Sequence, residues 1–235
     1  MMQQLTIKSA GAARGLIGMV SDAFCAHRRI TLLADFAAVG TTFERVSEAM
    51  REQRHCDLTV LTPALLLRLQ QAFPLRVLSA GSLGSTMTCF ACRGDVRAFD
   101  ISTIETLRRT LSEVDAIYTG DIRQSTVGRH LVHMLETLGL TGDLRPNVVE
   151  FPGGAPAVAA LGDAKDKRVL AFAQRTEVLQ NSGAVLAGPL PHAFRLATEY
   201  VLAVIDHAQA AQDFAAFLTA ESLANTRRES GFDPV

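Results

Sequence analysis

The sequence predicts an α/β fold built on parallel strands. Short apolar runs alternate with stretches of helical periodicity through the first third of the chain, and strand-to-helix turns rich in small and hydroxyl residues recur along it. At 235 residues and 48% hydrophobic content, the chain is long enough to bury a substantial core.

Leu5-Thr6-Ile7 reads as a first strand, followed by the small-residue turn Ser9 to Gly15 and a helix with Leu16, Ile17, Val20 and Phe24 on one face. Ile30 to Phe36 is a second strand, and Phe43, Val46 and Met50 mark the helix behind it. Asp57 to Thr62 is a third strand, with Pro63 suited to the first turn of the next helix. This β-α-β-α-β-α order implies parallel strands with helices on both faces. From about Leu75 the pattern changes, with strand-like runs at Arg76–Leu78 and Met87–Cys92 and no long helix between them.

A helix is expected over Ser102–Leu111, a strand at Ala116–Tyr118, and a polar loop from Gly120 to Gly128. The helix after that loop carries Leu131, Met134, Leu135 and Leu138 on one face and ends at Gly139. Further strands are expected at Asn147–Phe151, Val169–Ala173 and Tyr200–Ile205. Leu190-Pro191 reads as a hinge, and helices are expected over Ala208–Thr219 and Ser222–Ser230.

The formal net charge of −1 provides no global field for nucleic acid or acidic lipid, so nucleic-acid binding is not expected, and without a stretch of roughly 18 apolar residues neither is membrane insertion. Met1-Met2-Gln3-Gln4 leads into the first strand without a leader pattern, so a cytoplasmic location is expected, or a periplasmic one if a leader has been removed. Cys89-x-x-Cys92 has no second pair and no suitably spaced His. With Cys25 and Cys56 it reads as small core residues, so no metal and no cofactor is expected. Walker, HExxH, GxSxG and GxGxxG patterns are absent, which leaves nucleotide hydrolysis, zinc proteolysis and esterase chemistry unsupported.

Four turns share one character: Ser9 to Gly15, Gly40-Thr41-Thr42, Gln124 to Gly128, and Pro152-Gly153-Gly154. Each places small or hydroxyl residues just before a helix, where free amides and the helix dipole favour an anion. Ser, Thr and Gly also stand at such positions as ordinary caps. In open α/β sheets, ligands sit beyond the carboxyl ends of the strands, so convergence of the turns would make an anion site.

The segments Asp121 to Gly128, Val148 to Gly154, Ala187 to Pro191, Phe214 to Glu221 and Gly231 to Pro234 resemble the molybdate-binding, ModA-like class of substrate-binding proteins. Leu5 to Ala12 and Cys56 to Val60 fit the same class, and the likeness is colinear over nearly the whole chain. The resemblance implies a two-lobed type II periplasmic-binding-protein-like fold with a hinge and an inter-lobe cleft. Residues 1–80 with 190–235 would form one lobe and 81–189 the other. It implies a small anionic ligand, and an ABC transporter partner if the chain is exported.

The positions where molybdate binders of this class present a serine and a tyrosine hold Ala12 and Ala173. Arg14 follows the first loop, and a guanidinium suits a planar carboxylate, so the expected ligand is a small organic acid. Candidate binding residues are Ser9, Gly11, Ala12, Arg14, Thr41, Thr42, Ser125, Thr126, Gly153, Gly154 and Gln174. Molybdate or tungstate binding is an alternative. So is isomerisation of an unsaturated di- or tricarboxylic acid, since aconitate isomerase is distantly similar. Glu177, Asp121 and His130 are the candidate proton-transfer groups for that chemistry. An effector-sensing module of a regulator would need a DNA-binding segment, which the sequence does not contain.

Overall fold

The computed structural model describes residues 3–74, 76–96, 99–144, 146–164 and 168–235. Met1, Met2 and Leu75, used in the sequence reading, lie outside them. The chain forms two compact units. Unit 1 comprises the chain up to Thr86 together with Glu199–Val235, and unit 2 is Met87–Thr198. The sequence placed these boundaries near residues 80 and 190 and a hinge at Leu190-Pro191. Leu190 is instead buried in the core of unit 2 with Phe194, and the second crossing comes at Thr198.

Unit 1 opens with β1 (Gln3–Ala10), α1 (Arg14–Arg28), β2 (Ile30–Ala37), α2 (Val39–Arg51), β3 (Leu58–Leu61) and α3 (Pro63–Ala72). β1 pairs in parallel with β2 on one side and β3 on the other, with Ala10 opposite Ala37 and Ser9 opposite Val60. β9 (Ala197–Ile205) closes the sheet antiparallel to β3, with Leu61 opposite Val201. The helices divide between the two faces, as right-handed crossovers require. Phe24 of α1 meets Phe214 of α8 (Gln209–Thr219), with ring centroids 4.9 Å apart, while α2 packs against α3.

The two strand-like runs around Arg76–Leu78 and Met87–Cys92 are one strand, β4 (Val77–Arg93), whose first part belongs to unit 1 and whose last part belongs to unit 2. Ser79, Ala80, Gly81, Ser82 and Gly84, with the single buried Leu83 among them, break the apolar pattern in the sequence but not the strand. Gly84, at φ +114°, lies where a Cβ would come 2.5 Å from the Asp233 carbonyl; the C-terminal segment bridges to β4 at Ser85.

Unit 2 continues with α4 (Ile104–Glu113), β5 (Ala116–Gly120), α5 (Thr126–Thr137), β6 (Val148–Phe151), α6 (Gly154–Ala159), β7 (Val169–Gln174), α7 (Arg175–Leu179) and β8 (Ala184–Leu186). β5 pairs in parallel with β6 and β7, and β4 pairs antiparallel with β7 and β8. Phe90 and Phe172, both fully buried with centroids 4.5 Å apart, anchor its core. α9 (Ala224–Glu229) completes the chain in unit 1. The sequence reading missed the short α7 and β8. At five and three residues they are too short to show a period.

Candidate functional site

In unit 1 the parallel register brings the carboxyl ends of β1, β2 and β3 to one edge of the sheet. Each leads directly into a helix there: β1 through the single turn Gly11–Ala13 into α1, β2 into α2 at Val39, and β3 into α3 at Pro63. None of these three helices has a capping side chain or an acidic residue in its first turn. In α2 the first intrahelical bond runs from the Thr42 amide to the Ala38 carbonyl, so the amides of Val39, Gly40 and Thr41 precede it. Most isolated helices satisfy such amides with a side-chain cap, as α4 does through the reciprocal Thr103–Thr106 capping box. The sequence reading noted Pro63 but did not count the Thr62-Pro63 turn among its anion turns. Proline at the first helical position was the signal for it.

The side chains expected in unit 1 serve mostly as framework. Ser9 is fully buried, and its hydroxyl donates to the Ala10 carbonyl at 3.0 Å. The buried Thr42 hydroxyl donates to the carbonyls of Ser9 and Ala38 at 3.2 and 3.1 Å, tying α2 to β1. Ala12 is buried, while Gly11 and Thr41 are half-buried at the edge. Arg14 is exposed, and its guanidinium lies over the Phe36 ring, 4.6 Å from the centroid. It lines a groove of about 440 Å³ between α1 and β2, together with Ile17, Cys25, Leu32 and Phe36. Stacking on Phe36 uses the face of the Arg14 guanidinium and leaves its in-plane N–H donors for a planar partner such as a carboxylate.

In unit 2 the carboxyl ends of β5, β6 and β7 also share one edge, with Gly120 opposite Phe151 and Thr119 opposite Phe172. Here the β5 and β7 turns supply acceptors for their own amides, whereas α6 starts with no capping side chain and no acid in its first turn, like the helices of unit 1. The Asp121 carboxylate accepts from the amides of Arg123 and Gln124 at 2.7 and 2.8 Å, and Glu150 accepts from the Ile122 amide at 2.9 Å. Ser125 caps α5, accepting from the Gly128 amide at 2.8 Å and donating to the Asp121 carbonyl at 2.7 Å. Thr126, half-buried, opens α5. Gly153 precedes α6 and Gly154 opens it. Gln174, only 2% exposed, ends β7, and its amide donates to Glu177 at 3.0 Å in a capping box that starts α7.

The three proton-transfer candidates are all engaged by the fold. The amides of Gln124 and then Arg123 hold the Asp121 carboxyl below the usual carboxylate range, which makes it a weak base. His130 Nε2 donates to the Phe194 carbonyl at 2.8 Å, and its ring stacks on Phe172. Glu177 is 6% exposed and helps build the α7 capping box. Cys56, Cys89 and Cys92 are buried as read, and desolvation pushes the thiols of Cys89 and Cys56 up to about 12 and about 11. Among the described residues, no His, Cys, Asp and Glu side chains gather in a group that could hold a metal, and no helix is long and apolar enough to cross a membrane.

Residues 5–233 match the model of a family described as bacterial extracellular solute-binding protein. The chain belongs to that family. Solved structures share the fold of this solute-binding protein over nearly its full length. The sulfate-binding protein of Mycobacterium tuberculosis is 16% identical with a TM-score of 0.74, covering 99% of this chain and 87% of its own. The periplasmic molybdate-binding protein of Azotobacter vinelandii is 10% identical with a TM-score of 0.74, covering 98% and 99%. A periplasmic thiamin-binding protein is 15% identical with a TM-score of 0.69, covering 99% and 83%. No curated protein matches the sequence. The fold is therefore the periplasmic-binding-protein type that the resemblance implied. At these identities the likeness carries the fold, and the names, which span an oxyanion and thiamin, leave the solute to the residues.

Proposed function

We propose that this solute-binding protein captures a small anion beyond the carboxyl edge of the parallel strands of unit 1. The supporting observation is the set of three uncapped, acid-free helix starts on the edge of unit 1. Amides at that edge meet an oxyanion with charge-assisted hydrogen bonds, each contributing about 1.5–3 kcal/mol. Backbone amides accept carboxylate and tetrahedral oxyanion alike. An organic acid would in addition use the in-plane donors of Arg14, whose guanidinium face lies on Phe36. A molybdate- or sulfate-type oxyanion gains ground from the amide-only cradle and from the named relatives of the same fold. The isomerase reading has no base in its favour.

A thermal-unfolding screen tests the proposal with molybdate, tungstate, sulfate, phosphate, perrhenate, acetate, citrate and both aconitate isomers. A true ligand at about a hundred times its Kd stabilises by about 2.7 kcal/mol, which raises Tm by several degrees. A flat response to every anion, alongside a shift with a cation such as thiamin, would reject it. The place of action is a separate proposal: the cytoplasmic reading predicts recovery with cytosolic markers on fractionation, and a transporter receptor predicts recovery in the periplasm.

A further inference from the structure

Among the described residues, β2 ends the strand order and pairs with β1 alone, through eight consecutive residue pairs with no bulge. Its outer side is therefore a row of backbone donors and acceptors open to another strand. Such edges are ordinarily blunted by shortness, Lys, Pro, a bulge or an outward charge. β6, the edge strand of unit 2, has four residues and carries the exposed Glu150. β2 has eight residues, no Lys and no Pro, and its one charge, Asp35, is drawn to Lys8 and Arg45 at 3.8 and 2.8 Å. Leu33, 46% exposed, and Ala34, also exposed, stand at its centre. Leu32, Ala34 and Phe36 border the groove of about 440 Å³, whose α1 wall is kept low by Gly18, Ser21 and Cys25.

We propose that β2 is an interface between two copies of this chain, which pair through antiparallel β2 strands about a two-fold axis at Leu33. Directly opposite residues of an antiparallel pair share a face, so such an axis passes through one residue and its own copy. With the axis at Leu33, the two Leu33 side chains meet and Thr31 lies opposite Asp35, where its hydroxyl donates to the carboxylate. On the other face Ile30 lies opposite Phe36 and Leu32 opposite Ala34, large against small beside the groove. An axis at Ala34 would instead set Leu33 against Asp35. The strand is thus complementary to itself read backwards, which favours a second copy over an unrelated strand. Antiparallel pairing turns the carboxyl edges of the two copies in opposite directions and leaves both open, so the inference stands whichever solute is bound.

Sedimentation velocity over a dilution series is the test. The wild-type chain sediments as a dimer at about 0.1 mM and dissociates on dilution. Leu33→Lys sets two ammonium groups against each other at the axis and weakens association by about tenfold or more, with the Tm of the dilute monomer unchanged. Thr31→Asp sets a carboxylate opposite Asp35 and weakens association, whereas Thr31→Lys leaves it at least as tight as in the wild type. Equal responses of the two Thr31 variants overturn the Leu33 axis. A wild-type monomer at about 0.1 mM, or a dimer that Leu33→Lys leaves intact, overturns the inference. If the variants fail to fold, hydrogen exchange of the wild-type protein still decides: β2 amides slow as concentration rises and β6 amides do not, and rates independent of concentration overturn the inference. A monomer whose β2 amides slow only when an extended peptide of alternating Thr and Val is added makes the edge a peptide site and overturns the second copy as its occupant.

Discussion

The two units answer the same topological problem in different ways. Each brings three parallel strand ends to one edge and starts a helix from each. In unit 1 those helices begin at Arg14, Val39 and Pro63 with no capping side chain. In unit 2 they begin at Thr126, Gly154 and Arg175; Ser125, Asp121 and Glu150 sit on the amides of the first turn and Glu177 on that of the third, while α6 at Gly154 has no capping side chain. A helix start without a side-chain cap forgoes about 1 kcal/mol of capping. All three helix starts on the edge of unit 1 lack a cap, against one of three, α6, on the edge of unit 2.

The largest effect tests how tightly unit 2 is filled. Gly154→Val puts a side chain into the Glu177 carboxylate and displaces a buried acid, so we expect a loss of about 3 kcal/mol or more in urea unfolding. Gly18→Ala is the matched control. Nothing lies within 4 Å of the added Cβ in α1, and we expect a gain of up to about 1 kcal/mol. If Gly154→Val is as harmless as the control, the contrast between the units fails.

The next effect tests unit 1. Val39→Pro removes the leading amide of α2, and Ala38 before it is already extended at φ −55°, ψ 145°, the conformation proline requires of its predecessor. Anion affinity should fall about tenfold, one charge-assisted hydrogen bond, by titration with whichever anion the thermal screen selects. Val39 is buried, so stability must be followed as well. Equal affinity would remove α2 from the site.

Asp121→Asn probes the filled edge by pH. Because Gln124 and Arg123 amides lower the folded-state pKa of Asp121, its contribution is complete above the unfolded carboxylate range and is lost as pH falls through the lowered value. The variant should be less stable near neutrality by an amount of order 1 kcal/mol, discounted for partial exposure. The difference should vanish in acid, as measured by unfolding across an acid-to-neutral series. A difference that persists unchanged into acid would assign the effect to side-chain shape.

Most of the framework was legible in the sequence, since helical and strand periods mark α1, α2, α5 and α8 and the apolar strands between them. The long β4 was not, because Ser79 to Gly84 hold only one large apolar residue, Leu83, too few to show a period, and the strand there makes backbone contacts to the C-terminal segment at Asp233. The anion turns were visible as small and hydroxyl residues. Their division was not, because whether an amide is free depends on acids far along the chain: Glu150 reaches Ile122 across 28 residues. Thr42 shows the same limit. Its hydroxyl fits a ligand role on sequence, and only tertiary structure shows it donating to Ser9, 33 residues away.

Arg14→Ala carries the smallest expected effect and the sharpest test of the comparison. The guanidinium is exposed and stacked on Phe36, so its removal should cost about 0.5–1 kcal/mol of stability and leave anion affinity within about twofold. That outcome makes unit 1 an amide cradle that distinguishes anions poorly by shape. A tenfold or greater loss confined to carboxylates would mean that the in-plane donors of Arg14 form a bidentate pair with the ligand. The preference for an organic acid would then return, and unit 1 would select its ligand by a side chain as well as by its backbone.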